Sequence, residues 1–101
     1  MADRYASFAA FYPYYLSEHR NLTCRRLHFV GTSIGLICFI VALATGRWWL
    51  IAVGLISGYA FAWAGHFFFE HNRPATFRYP GYSFLGDWLM WRDMLTGRIK
   101  F

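Results

Sequence analysis

A chain of 101 residues holds one domain at most, and this one is 57% hydrophobic and 23% aromatic with only 15% charged residues. Soluble domains average about 25% charged residues, and a chain this short buries only a modest core, so the composition excludes a free-standing soluble monomer and calls for a membrane, a partner or both. The net charge is +5, but the bases fall into two end clusters (Arg4, Arg20, Arg25 and Arg26; then Arg73, Arg78, Arg92, Arg98 and Lys100) with only Arg47 between them, a split that argues against a nucleic-acid surface.

The N-terminus lacks a basic region followed by an apolar core, so no cleaved signal peptide is expected. From Tyr5 to Leu16 the chain is rich in aromatics, and Phe8, Phe11, Tyr12 and Tyr15 recur at helical spacing around Pro13. This predicts a short interfacial helix on each side of the proline or one kinked helix. The stripe reads as a membrane anchor rather than a substrate wall, and residues 1–26 as an interfacial segment. Residues 27–45 and 48–69 carry no formal charge. Each approaches the roughly 20 residues that a transmembrane helix needs, and neither shows the wide polar face of a soluble bundle helix. Gly46 and Arg47 alone separate them, so the two helices are antiparallel neighbours.

Basic residues at both ends and their scarcity at the turn put both termini in the cytoplasm, in the inner or cytoplasmic membrane if the source is bacterial. Trp48 and Trp49 mark the far interface; Tyr59, Trp63 and Phe67 to Phe69 enrich the near end. Residues 70–101 then form a cytoplasmic tail. Pro74, Pro80 and Gly81 make its start irregular, and residues 84–95 predict an amphipathic helix that lays Leu85, Trp88, Leu89 and Trp91 on the membrane surface. The fold class expected is all-α, a two-span membrane hairpin flanked by interfacial helices.

Candidate chemistry gathers at one end of the hairpin. Gly54, Gly58 and Ala62 recur every fourth residue, which lets helix backbones approach closely in lipid. The same stripe extends to His66 and Glu70. Gly31 and Gly35 form the matching pair on the first span, with His28 on their face. In an antiparallel hairpin His28 and His66 come level. His19 lies half a turn out of phase with His28 and joins them only if the chain bends, which Asn21 and Thr23 favour by bending or capping. Imidazole suits Zn, Cu, Fe and Ni, and Glu70 is one helical turn from His66, close enough to chelate the same ion or relay a proton. Glu70 with Arg73 also reads as a helix-end ion pair. His71 faces elsewhere, towards solvent. Cys24 and Cys38 match no zinc or redox spacing and read as packing; the glycosylation pattern at Asn21 is accidental if this end is cytoplasmic.

Two segments carry a resemblance. His19-x-Asn21 is followed by His28, and Gly65-His66-x-x-Phe69-Glu70-x-x-Arg73-Pro74-Ala75 follows the second span. In this order, flanking hydrophobic spans, they resemble the membrane 2-hydroxy fatty acid dioxygenases, a family first described as a domain of unknown function, whose fungal members act in fatty acid α-oxidation. The likeness covers roughly residues 8–75, and the tail looks like that of short bacterial members; fungal relatives have a longer hydrophobic middle. It implies a non-haem Fe(II) enzyme that shortens 2-hydroxy fatty acids by one carbon, although a purified sample could carry Zn or another transition metal. It also implies metal ligation by His19, His28 and His66, a proton-handling or ligand-orienting role for Glu70, and Arg73 on the substrate carboxylate, with Asn21 beside the substrate.

Two other readings stand beside this one. His28 and His66 could be axial ligands of a haem, or the hairpin could be a non-enzymatic membrane scaffold whose histidines only pack. In each case the partners are the bilayer and, from the small-residue faces, further copies of the chain; the dioxygenase reading adds a fatty acid or lipid substrate.

Overall fold

The computed structural model describes residues 5–101, so Arg4 of the first basic cluster lies outside the described residues. Helix α1 (Phe8–Ser17) begins where the Ser7 side chain accepts the Ala10 N–H at 3.2 Å. It runs through Pro13 as one helix. The chain then turns, and Asn21 caps helix α2 (Leu22–Thr45) by accepting the Cys24 N–H at 3.0 Å.

Helix α2 starts five residues before the uncharged stretch does. Arg25 and Arg26 do not break it, because their side chains reach outward to the carbonyls of Arg20, Lys100 and Phe101. At 24 residues it is about 36 Å long, more than a hydrocarbon core of about 30 Å requires, so its charged first turn has room to stand clear of lipid. Gly46 ends it in the left-handed region, at φ 70°.

Helix α3 (Trp49–Gly65) returns antiparallel and widens into a π turn, His66–Glu70. A 3-10 turn (Ala75–Phe77) leads to α4 (Pro80–Leu95), which starts on Pro80, a residue suited to a first turn because it has no N–H to leave unpaired. The described residues contain no strand. Two helical stretches, Leu22–Thr45 and Trp49–Glu70, are long and apolar enough to cross a membrane.

The expected small-residue stripes meet. A Cβ on Gly31 would lie 2.9 Å from Phe61 Cβ and 3.0 Å from the Gly58 carbonyl. One on Gly54 would lie 2.9 Å from Cys38 Cβ and 3.2 Å from the Gly35 backbone. Only hydrogen fits there. Ile37, Ile40, Leu43 and Ile56 point outward and are exposed. The stripes are thus consumed inside the hairpin and do not themselves call for a second copy.

The flanking segments differ from expectation. The aromatic stripe of α1 is core: Phe11 and Tyr15 are fully buried with Tyr79, Met90 and Met94. Helix α4 packs on α1 and α2, with Trp91 stacked on Phe29 and its indole N–H donating to Ser33 Oγ at 3.0 Å. The reason is mutual coverage. Two short aromatic helices hide more apolar surface against each other than either hides alone, and Tyr12 O–H donates to Asp93 at 2.8 Å across their junction.

Gly31→Val should lower the hairpin's stability by about 1–3 kcal/mol through overpacking. Gly81→Ala, with nothing within 4 Å of the added Cβ, should leave it nearly unchanged. Thermal unfolding of both variants in one detergent checks this.

Candidate metal centre

Three elements each deliver one imidazole. His19 sits in the turn after α1, His28 in the second turn of α2, and His66 at the end of α3 where the π turn opens. All three are buried, at 1–3% exposure. One ligand atom from each lies within 4.8 Å of the other two. Ring centroids are 4.4, 4.5 and 4.9 Å apart, with interplanar angles of 75–89°. The rings therefore face a common point from three directions.

The outer nitrogens show which atoms are available. His19 Nδ1 lies 2.6 Å from the Tyr15 carbonyl, and His28 Nδ1 2.9 Å from the Cys24 carbonyl. A carbonyl only accepts, so both Nδ1 atoms carry the proton. His66 Nδ1 lies 2.7 Å from Asn72 Oδ1. The Asn72 amide nitrogen donates to the Glu18 carbonyl and carboxylate at 3.1 and 3.3 Å, which fixes its oxygen as the acceptor from His66. Each imidazole thus has a protonated outer nitrogen and an inner Nε2 lone pair.

His19 Nε2 and His28 Nε2 stand 3.0 Å apart. Two lone pairs at that distance repel unless a cation lies against both. Burial holds the His19 pKa far below its usual value, and the neighbouring His28 and His66 lower it further, so a proton is a poor candidate for that cation. A transition metal ion suits this donor set: neutral imidazoles, oriented from outside by hydrogen bonds. A haem does not, because the third ring occupies the space a porphyrin plane would need between the other two.

The acidic partner differs from expectation. Helical periodicity placed Glu70 one turn below His66, and Glu70 does close the π turn that His66 opens, but its carboxylate is not among the converging ligand atoms. Glu70 accepts the Asn21 N–H instead, closing the end of the second helix onto the start of α2. No ion pair joins Glu70 to Arg73; among the described residues the ion pair is Arg92–Asp93 at 3.0 Å. Arg73 is exposed and so is His71, which ends the π turn at φ 61°. Asn21 caps α2, and its amide N–H donates to the Phe69 carbonyl at 3.5 Å. Cys24 Sγ lies 3.7 Å from His28 Nδ1, packed beneath the ring.

Sequence reasoning missed Asn72, Glu18, Tyr15 and Asp87. Tyr15 stacks on His19 at 4.1 Å and donates its O–H to Asp87. Burial raises the Tyr15 pKa well above its ordinary value, so it stays a donor. Burial also pushes the Asp87 carboxyl up to about 7, while the Tyr15 hydrogen bond pulls the other way. The spacing of four from Tyr15 to His19 and from Cys24 to His28 was the available signal, since in a helix it sets a side chain over a carbonyl one turn back.

From His28 a groove of about 370 Å³ runs along α2 and α3 past Gly31 and Gly35 to Phe39, with Phe84, Asp87 and Trp88 of α4 also lining it. Its length along α2 is about 16 Å at the helical rise. Apolar groups line most of it.

Asn72→Ala should weaken binding of Co(II) or Zn(II) by about 10- to 100-fold by freeing the His66 ring. A competition titration against a chromophoric chelator reads this directly, with circular dichroism to show that the helices persist.

A family model described as 2-hydroxy-palmitic acid dioxygenase Mpo1-like matches residues 5–99. No curated protein and no solved structure matches the chain. The match spans nearly the whole chain and takes in all three converging histidines, so this chain belongs to the Mpo1-like family.

Proposed function

We propose that this protein is a membrane-embedded non-haem Fe(II) dioxygenase that shortens long-chain 2-hydroxy fatty acids by one carbon. The observation that carries the reading is the convergence of three neutral imidazoles, lone pairs inward, at the head of an apolar groove. The family's description, 2-hydroxy-palmitic acid dioxygenase, suggests the substrate class. Iron held by His19, His28 and His66 would supply activation of dioxygen. The reaction balances with one dioxygen: a 2-hydroxy acid gives a carboxylic acid one carbon shorter, carbon dioxide and water, and no external reductant is needed.

The chain's own residues bind and orient. The groove takes the alkyl tail beside Gly31 and Gly35, leaving carboxylate and 2-hydroxyl at the imidazole end. Asn72 and the Tyr15 and Cys24 carbonyls hold the rings in the ligating tautomer. Glu70 and Asn21 tie the π turn to α2, which keeps His66 level with His28; we assign Glu70 this positioning part. Arg73, exposed and without an ion pair among the described residues, has its guanidinium available for a substrate carboxylate at the interface. The hairpin sits in the bilayer with both ends on the cytoplasmic side, where the bases gather.

After anaerobic loading with Fe(II), the purified protein should hold close to one metal per chain, show no Soret band, and convert 2-hydroxyhexadecanoate to pentadecanoate. His66→Ala should abolish both metal binding and turnover. A wild-type sample that takes up no transition metal after such loading would sink the dioxygenase reading.

A further inference from the structure

The imidazole end of the groove holds one acidic side chain, and the metal reading gives it no task. Asp87 is half-buried and lines the groove with His28. It is the one carboxylate among the lining residues; the other polar groups there include Thr32 and Tyr59. A carboxyl in an apolar groove is costly unless its oxygens find partners. Tyr15 satisfies only Oδ1, and the second oxygen has no protein donor among the described residues.

The placement of this pair is tightly held. A Cβ on Gly86 would meet the Tyr15 ring at 2.8 Å, so the bare backbone beside Asp87 is what lets the ring lie against α4. Tyr15 is fully buried and stacks on His19. The carboxyl is thereby set at a defined place relative to the histidines. A mere tie between α1 and α4 would not need it to face the groove, since Tyr12 and Asp93 make such a tie elsewhere.

An acceptor selects a donor. In a 2-hydroxy acid at neutral pH the carboxylate has no proton to give, and the 2-hydroxyl has one. With the tail in the groove and the carboxylate at the imidazole end, the adjacent carbon carries its hydroxyl in the stretch of groove that His28 and Asp87 line. We propose that Asp87, held by Tyr15, is the substrate-binding residue that accepts a hydrogen bond from the 2-hydroxyl and so distinguishes 2-hydroxy fatty acids from unsubstituted ones. This rests on the proposed function, because it takes the groove as the fatty acid site.

The test is binding, read separately from turnover. Competition of 2-hydroxyhexadecanoate and of hexadecanoate against a fluorescent fatty acid is measured in one detergent, with the Fe(II) protein kept anaerobic. Wild type should prefer the hydroxylated acid by about ten- to hundredfold, the range expected for one hydrogen bond to a carboxyl. Asp87→Ala should bring the ratio close to one. Asp87→Asn, which keeps an acceptor oxygen, should retain part of it, and Tyr15→Phe should lower it by loosening the carboxyl. Circular dichroism and metal content establish that each variant is folded and loaded.

An unchanged ratio in Asp87→Ala overturns the assignment while leaving the dioxygenase reading intact. A wild type that binds both acids equally overturns it as well. A wild type that binds metal but neither acid removes the groove as the fatty acid site, and the assignment with it.

Discussion

Everything at the site depends on how closely α2 and α3 approach. In lipid there is no hydrophobic force between apolar helices, so association rests on packing and backbone proximity. Gly31 against Gly58, and Gly54 against Gly35, bring the two backbones within a distance that a Cβ on Gly31 or Gly54 would prevent. His28 lies one turn from Gly31, and His66 two turns from Gly58. The contact therefore sets the spacing of two imidazoles as a direct consequence of helix geometry. A wider crossing would leave two isolated histidines, each with its Nε2 turned to no common point.

The third imidazole arrives by a different physical route. His19 is not on a span; it is held by the aromatic core that α1, α4 and the 3-10 turn build beside the hairpin. Tyr15 contributes to this core with its ring, to His19 with its carbonyl, and to Asp87 with its hydroxyl. The three-histidine cluster thus sits at a junction. On one side small residues pack helices in the manner suited to lipid, and on the other large aromatics pack as in a water-soluble domain.

This division explains what was legible in the sequence. Hydropathy and the four-residue glycine spacing are local signals, so the hairpin, its antiparallel sense and the common level of His28 and His66 could be read directly. The bend that brings in His19 was legible as a condition, through the capping chemistry of Asn21. Glu70 lies at the expected end of the second span, but its carboxylate turns to the Asn21 N–H, a contact 49 residues apart that helical periodicity does not encode. Asn72 lies past the helix end, where periodicity has no meaning. The core role of the N-terminal aromatics and the Tyr15–Asp87 pair depends on contacts 72 residues apart, which no local pattern encodes.

The same junction suits an amphiphile better than either environment alone would. A fatty acid has a tail that partitions into lipid and a head that does not, and catalysis at its second carbon must happen where the two meet. A centre deeper in the hairpin would strand the carboxylate in hydrocarbon, at a cost that ionisable groups avoid at membrane depth. A centre in the soluble core would have to extract the whole tail from the bilayer, losing about 0.8 kcal/mol for each methylene exposed to water. Under the proposed function, setting the histidines at one end of the hairpin, with the groove leading from His28 along α2 and α3, would leave the tail in apolar surroundings and move only the head group. Two spans line the groove, and the flanking aromatic helices hold the third imidazole in place.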